Sequence, residues 1–393
     1  MDTFILNTKV QEFINKNINS DSTALSLQKT PFSSEDIKII IEQIEAKKRC
    51  IKKLSTWFNT KDIYYPNKLN IEQTSSEITA NYKSNLIEGH SIIDLTGGFG
   101  VDCFYFSKRF KRITHCEINE SLSNIVKHNY KKLQIDSIET LPKNGIDYLK
   151  ENNTNFDWIY IDPSRRHDSK GKVFVLNDCL PNVPLHLGLL FSRSNNIMIK
   201  TSPLLDLAIG INELNHVKTI HIVAVNNEVK ELLWILENEF EGQIIIETIN
   251  LKKEKKDYFN FYLEDEKVAE STYHLPLSYL YEPNASILKS GAFHSISNKL
   301  SVFKLHKHSH LYTSDDCIDH FPGRIFKIKS VLAYNKKTLK KLGISKANIT
   351  TRNFPESVQQ IRKKFNIKDG GTIYMFFTTD LNNQKIVLIT NKT

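Results

Sequence analysis

Cysteine is scarce in this sequence and never falls in a metal-binding spacing. Cys50, Cys103, Cys116, Cys179 and Cys317 are scattered along 393 residues without a C-x-x-C pair. That pattern excludes a disulfide framework and a cysteine zinc site, and it predicts a reducing compartment with each thiol a small core residue. No metal is expected. Long apolar runs are missing too: roughly 18 in a row would be needed to span a bilayer, so no membrane partner is expected. The opening MDTFILNTKVQEF lacks the charged-then-apolar pattern of a secretory signal. A cytoplasmic location is the expectation. The length suits two or three domains with a sizeable core.

Acidic charge is short in one part of the chain only. Ala285–Thr393 holds 19 Lys plus Arg against 6 Asp plus Glu, net +13. The rest has 34 against 38, net −4, so the overall +9 comes entirely from the C-terminal quarter. A basic module beside a near-neutral remainder is the footprint of a polyanion partner. A lysine-rich solvated surface gives the same count.

What is present is concentrated in Ile92–Asn119, IIDLTGGFGVDCFYFSKRFKRITHCEIN. It reads as strand, glycine turn, helix Val101–Ser107, strand Ile113–Cys116, then a carboxylate. Gly97, Gly98 and Gly100 supply the φ > 0 and the missing Cβ that a tight strand-to-helix turn requires. They also let a ligand approach the following helix N-terminus. Glu117 stands 23 residues after Asp94, where a doubly wound sheet holds a ribose by its hydroxyls. The dinucleotide fingerprint needs a third glycine, and Cys103 is there instead. Asp94 before the turn would repel a pyrophosphate and suits a ligand with a cationic end, such as the amino group of S-adenosylmethionine.

DLTGGFG resembles the first motif of class I S-adenosylmethionine-dependent methyltransferases, with Thr96 in place of the commonest glycine. The resemblance implies S-adenosylmethionine as cofactor, held by Asp94, Thr96, Gly97, Gly98, Gly100, Glu117 and the adjoining Ile118. It also implies a helix before the first strand whose start covers the methionine end. Glu72, Gln73, Ser75 and Ser76 stand there, with Ser75 the candidate ligand; a helix cap at Ser75-Ser76-Glu77 explains the same residues. A polar residue after the third strand commonly accepts from the adenine amino group in this superfamily, and Asn144 and Asp147 both qualify.

Phe156–Arg166, FDWIYIDPSRR, is the second strong signal. Trp158–Ile161 reads as a buried strand broken by Asp162-Pro163 at the end that faces the crevice of an open parallel sheet. Amino-methylating enzymes place an Asp/Asn-Pro-Pro-aromatic turn here, which accepts hydrogen bonds from an exocyclic amine. In this chain Ser164 and Arg165 follow the proline, so the turn is kept and the stacking aromatic is absent. Asp162, Pro163, Ser164 and Arg165 are the candidate catalytic group, and Asp162 also borders the cofactor. Arg165, Arg166 and Lys200 are candidate substrate contacts through phosphate or a base. Ion pairing with nearby acids is the alternative for each. No cysteine follows the turn, which argues against covalent catalysis at a pyrimidine carbon.

The rest of the pattern supplies a framework. Residues 1–70 read as helical, with one long helix from Glu35 to about Phe58 whose polar face, Lys47-Lys48-Arg49 and Lys52-Lys53, is basic. Helix Glu120–Leu133, strand Ile138–Leu141, helix Val183–Phe191, strand Asn196–Lys200 and strand Thr219–Val225 follow. A helix is expected to start at Asn226–Glu231, with later strands Gln243–Ile249 and Tyr258–Leu263. Lys252–Asp257 reads as a solvated hairpin turn. His306, His308 and His310 alternate, which puts them on one face of an exposed strand. From Gly323 the reading is strand Arg324–Tyr334, helix Lys336–Leu342, strand Ala347–Thr351, helix Glu356–Phe365, and strands Thr372–Thr378 and Lys385–Thr390.

EQTSSEITANYK, DLTGGFGVD, IDPSRR, IKTSPLLD, NNEVKELL, YLYEPNASILKSGAF, PGR and TRNFP together resemble bacterial methyltransferases with a C-terminal THUMP-like domain. The fold expected is α/β: a Rossmann-like seven-stranded methyltransferase sheet with an N-terminal helical segment and a small C-terminal α+β domain. The expected boundaries are 1–70 helical, 71–272 methyltransferase, 273–322 a small connecting α+β segment, and 323–393 THUMP-like. The resemblance implies an RNA partner, tRNA or rRNA, contacted by Arg324, Arg352 and Lys363, with a base nitrogen the favoured acceptor. Methylation of a protein or small molecule is one alternative. A non-catalytic RNA-binding protein that retains the nucleoside pocket is another.

Overall fold

The computed structural model describes residues 2–165, 174–253 and 255–393. The chain divides into two compact units, Met1–Val217 with Leu233–Glu241, and Lys218–Leu232 with Gly242–Thr393.

The first unit opens with α1 (Thr8–Lys16), α2 (Ser22–Leu27), α3 (Ser34–Lys53), α4 (Ser55–Asn59), α5 (Lys68–Gln73) and α6 (Glu77–Ser84). A capping box between Ser33 and Asp36 starts α3. The expected single helix to Phe58 is two: Leu54, at φ −137°, breaks it. The Glu77 carboxylate accepts the Thr56 N–H at 2.6 Å, which holds the break. The expected basic face is also revised. Lys47 is buried and donates to Asn15 Oδ1 at 2.6 Å, and Arg49 pairs with Glu72 at 3.0 Å.

An alternating pattern follows: β1 (Ser91–Asp94), α7 (Val101–Phe106), β2 (Arg112–Cys116), α8 (Glu120–Lys132), β3 (Ile138–Leu141), α9 (Gly145–Glu151), β4 (Trp158–Ile161), α10 (Val183–Phe191), β5 (Asn196–Thr201), α11 (Leu207–Glu213), β6 (Val217–Val225), β7 (Glu228–Glu237), β8 (Ile245–Leu251), β9 (Lys256–Tyr262) and α12 (Leu263–Val268). The strand order is β9-β8-β6-β7-β5-β4-β1-β2-β3. β1 pairs in parallel with both β2 and β4, β2 with β3, and β4 with β5. β1 is therefore where the chain turns from building the sheet one way to building it the other, the topological switch point at which ligands bind. The register places Asp94 opposite both His115 and Tyr160. Asp94, Glu117 and Asp162 consequently share one end of the sheet.

The expected helix after β6 is a strand. Asn226 and Asn227, at φ 50° and 67°, form a two-residue turn, and β7 runs back from it. Paired positive φ values match the right-handed strand twist, and asparagine tolerates them.

The second unit's other sheet holds β10 (Tyr279–Pro283), α13 (Ala285–Ser290), α14 (Ser295–Lys299), β11 (Phe303–Lys304), β12 (Tyr312–Ser314), β13 (Gly323–Ala333), α15 (Lys336–Lys341), β14 (Asn348–Thr351), α16 (Val358–Phe365), β15 (Ile373–Thr379) and β16 (Lys385–Lys392). Its order is β11-β12-β10-β13-β16-β15-β14. Alternation along β15 and β16 feeds two cores. Phe376, Ile386 and Leu388 pack with Leu280, Leu305, Leu311 and Phe326; Met375, Phe377 and Val387 pack with Leu339 and Ile361. The expected exposed histidine strand is instead an irregular turn. His306 is buried there, its Nδ1 accepting from the His308 N–H and Asn353, while His310 stacks on Phe293 at 3.7 Å. Asp257, expected in a solvated turn, is buried and accepts from Asn250 and Lys252.

Candidate active site

The glycine turn is shaped by what lies beneath it. A Cβ added to Gly97 would lie 2.2 Å from His115 Nε2, and one on Gly100 would lie 2.2 Å from the Tyr130 hydroxyl. Gly100 also takes φ +77° as the N-cap of α7, and Gly98 takes +55°. His115 is fully buried, and burial pushes its imidazole down to about 4, so it stands as a neutral ring under the turn.

Asp94 ends β1 at 2% exposure. Its Oδ1 accepts from the Thr96 N–H at 2.9 Å and the Thr96 hydroxyl at 3.2 Å, and Oδ2 accepts from Cys103 Sγ at 3.4 Å. The carboxylate thus lies behind the turn instead of lining it. Burial is the main reason its carboxyl is raised to about 7, with Asp102 and Asp162 adding repulsion against the Thr96 bonds. The Thr96 hydroxyl in turn accepts the Asp162 N–H at 2.7 Å. Thr96, where glycine is commonest, therefore ties the first motif to the Asp-Pro turn.

Glu117 is half-buried. One oxygen accepts from the Gly98 N–H at 2.9 Å and the other from the Asn119 N–H at 2.8 Å. Two backbone donors fix the carboxylate plane while leaving lone pairs for a ligand. Ile118 beside it is 71% exposed, an apolar surface at the same rim. Asn144 is exposed, and its side-chain oxygen caps α9 by accepting from Ile146 and Asp147. Asp147 pairs with Lys150 at 3.3 Å.

Asp162 forms an ion pair with Lys200. The two predicted site residues meet each other, so Lys200 reaches the Asp-Pro turn as a carboxylate partner. Pro163 is buried and Ser164 exposed. Ser164 and Arg165 pair antiparallel with Leu180 and Cys179. The Arg165 guanidinium lies 5.6 Å over the Phe174 ring. Arg166 lies outside the described residues.

One constellation joins a predicted residue, Ser75, to partners that carried no sequence signal. Ser75 is buried, and its hydroxyl donates to Asp102 Oδ2 at 2.8 Å and accepts from Lys83 Nζ at 2.9 Å. Lys83, fully buried, pairs with Asp102 at 3.1 Å, and the Tyr160 hydroxyl donates to Asp102 at 2.9 Å. Burial alone would raise the Asp102 carboxyl, but the Lys83 and Lys200 ammonium groups and these two hydroxyls outweigh it and lower it. Lys83 and Asp102 thereby lock α6 to α7 behind the turn, with the Ser75 hydroxyl bridging the pair. Ser76 is the α6 cap, accepting from the Thr79 N–H.

In the C-terminal unit, Arg324 and Arg352 both engage the buried Glu282 carboxylate, and Lys363 is exposed on α16. Among the described residues no group of three or more His, Cys, Asp or Glu is placed to hold a metal ion, and no helix is long and apolar enough to cross a membrane.

These features match a known structure along their whole length. A putative methyltransferase from Porphyromonas gingivalis W83 superposes with a TM-score of 0.90 at 31% identity, covering 100% of this chain and 99% of that one. A ferredoxin-like domain family matches residues 279–322, and a THUMP domain-like family matches residues 323–392. The chain belongs to the methyltransferase family of the Porphyromonas gingivalis protein, with a THUMP-like domain at its C-terminal end. Partial likenesses extend to M. capricolum TrmK, solved with S-adenosyl-homocysteine (18% identity, 41% of this chain, 69% of that chain, TM-score 0.33). An rRNA methylase from Streptococcus thermophilus is similar over 41% of this chain and 93% of its own (13% identity, TM-score 0.31). No curated protein matches in sequence.

Proposed function

We propose that this protein is a class I, S-adenosylmethionine-dependent RNA methyltransferase acting on a base nitrogen in tRNA or rRNA, in the cytoplasm. The observation that carries the reading is the convergence of Glu117 and the Asp94–Thr96–Asp162 chain at the switch point of the sheet. The residues fit the cofactor. Gly98 and Gly100 keep the turn free of side chains, Glu117 is aimed by two backbone N–H groups, and Ile118 offers an apolar face. Glu117 would take the ribose hydroxyls, Ile118 the adenine face and the glycine turn the methionine end. Asp94 orders the turn from behind through its two bonds from Thr96. Bound there, S-adenosylmethionine supplies a methyl group on a sulfonium, already a good leaving group.

The chain's own task is then positioning. Asp162 is held by Thr96 at its backbone and by Lys200 at its carboxylate. Together with the backbone around buried Pro163 it presents acceptors to an amine, which turns the nitrogen lone pair toward the methyl group. Arg165 borders the same turn and suits a base or phosphate, as does Arg166, the next residue in the sequence. The THUMP-like domain and its positive charge support RNA as the substrate class.

Calorimetric titration with S-adenosylmethionine tests the cofactor site. Glu117→Ala should weaken binding by about ten- to a hundredfold, since two charge-assisted bonds to backbone N–H and the ribose contact are lost. Asp162→Ala should leave binding nearly intact and lower turnover. Comparing modified nucleosides of total RNA with and without the gene, by mass spectrometry, identifies the base. Unchanged nucleosides, or modification that persists when Glu117→Ala and Asp162→Ala are combined, would refute the reading.

A further inference from the structure

The C-terminal unit contains a second charged constellation. Glu282, at the end of β10, is buried at 4% exposure, yet two guanidinium groups share it. Arg324 donates through Nε at 2.6 Å to Oε2, and Arg352 donates through Nη2 at 3.0 Å to Oε1. One carboxylate against two guanidiniums leaves a net charge of +1. It also leaves donors unspent: Arg352 Nε is buried and has no partner among the described residues.

These residues line a cleft of about 420 Å³. Leu288, Ile349 and Val358 form an apolar part of its wall. A volume in this range accommodates a small organic group of nucleotide size. Gly323 makes the arrangement possible. A Cβ there would lie 2.1 Å from the Glu282 carbonyl oxygen, so only glycine lets β13 approach β10 closely enough to carry Arg324 to Glu282.

We propose that this cleft is a phosphate clamp that seats one nucleotide of a polynucleotide chain. Glu282 holds both forks in fixed orientation, and the remaining guanidinium N–H groups take the phosphate oxygens. Guanidinium forks match phosphate geometry in two-point contacts, and a fixed fork loses little entropy on binding. The apolar wall takes the sugar or base face without reading its edge, so recognition is independent of sequence. The identification of the polynucleotide as RNA rests on the function proposed above; the clamp itself does not.

The test uses the full chain and a short fluorescently labelled single-stranded RNA, followed by anisotropy across a salt series without S-adenosylmethionine. Arg352→Lys and Arg324→Lys keep the charge and lose the fork, and each should weaken binding by about tenfold. Arg352→Met should also reduce the salt slope by about one. Leu288→Trp fills the cleft while sparing the three charged residues, and it should weaken binding with the melting temperature held. Wild-type affinity in both lysine variants and in Leu288→Trp would overturn the clamp and leave a structural ion triad. Adenosine monophosphate as competitor separates the sources of phosphate. Displacement of the RNA only at millimolar nucleotide supports a polynucleotide site, whereas displacement at the RNA's own dissociation constant would overturn it in favour of a free nucleotide. Clamp variants that bind weakly in a chain that methylates nothing would uphold this inference and sink the enzyme reading, so the two fail separately.

Discussion

Asp94 shows how one residue's surroundings fix a measurable property of the whole chain. Its carboxyl lies near 7 in the folded protein against 3.8 ordinarily, chiefly because it is buried. Between those values the folded state holds a proton that the unfolded state has released. Stability therefore falls as pH rises from about 4 to 7, and the penalty stays in full above 7. A rise of about three units corresponds to on the order of 4 kcal/mol for this 2%-exposed group. Asp94→Asn keeps an oxygen for both Thr96 bonds and has nothing to titrate. Melting curves of the two proteins should lie close near pH 4 and separate progressively up to about pH 7, the asparagine variant being the more stable at pH 8. Parallel curves would show that Asp94 is not perturbed. The same burial explains what could be read in the sequence at this scale. Asp94 and Asp162 were legible because each ends a short apolar run, and Glu117 because it stands 23 residues after Asp94 at the end of the next strand. Lys83 was not: a lysine closing an amphipathic helix reads as solvent-facing, and its counterion Asp102 lies 19 residues away on another helix. Pairing across elements leaves no trace in a periodicity.

At the scale of the element, the glycine turn makes two kinds of demand that sequence alone cannot separate. Gly97 is required by space and Gly98 by backbone angle. A methyl group at Gly97 collides with the His115 ring, held between buried neighbours, whereas at Gly98 the nearest atom is the Thr96 carbonyl oxygen at 3.8 Å. Overpacking of this kind costs about 1–3 kcal/mol, and a left-handed alanine about 1–2 kcal/mol. Gly97→Ala should therefore melt below Gly98→Ala and carry a displaced His115 ring, visible in its imidazole NMR signals. Equal melting with an unmoved ring would refute the distinction. Strand ends and helix starts were read to within a few residues through most of β1–β6, because caps and apolar runs are local. The Asn226-Asn227 turn was misread because Val229, Leu232, Leu233 and Leu236 sit at helical spacing as well as on a strand. The tie is broken by two left-handed asparagines, a backbone fact that a hydrophobic pattern does not carry.

For the molecule as a whole, family boundaries and folding boundaries differ. The ferredoxin-like match ends at Pro322 and the THUMP-like match begins at Gly323, yet a single seven-stranded sheet runs through that point. β13, from the THUMP-like side, pairs along Gly323–Lys327 with β10 and along Phe326–Ala333 with β16. Phe326 packs in one cluster with Leu280, Leu305 and Leu311 from the ferredoxin-like side. Glu282 supplies the only carboxylate shown for Arg324 and Arg352 among the described residues. Cutting at 322 would leave half of β13 as an open edge, expose that apolar face, and strand two guanidiniums beside each other without their counterion. The expected boundary at 273, the charge step after Ala285 and the Pro322-Gly323 turn all mark segments in the sequence. None of them records that one sheet runs on across the last two, since strand pairing at separations of 40 residues and more leaves no local signal. A fragment of residues 323–393 should accordingly aggregate or show no cooperative melting transition, with its β13 amides exchanging rapidly. Residues 273–393 carry all seven strands of the sheet, and there the transition and the slow β13 amides should return. A sharp, reversible transition in the 323–393 fragment alone would instead make the THUMP-like segment a self-sufficient domain, and the Glu282 contacts dispensable to it.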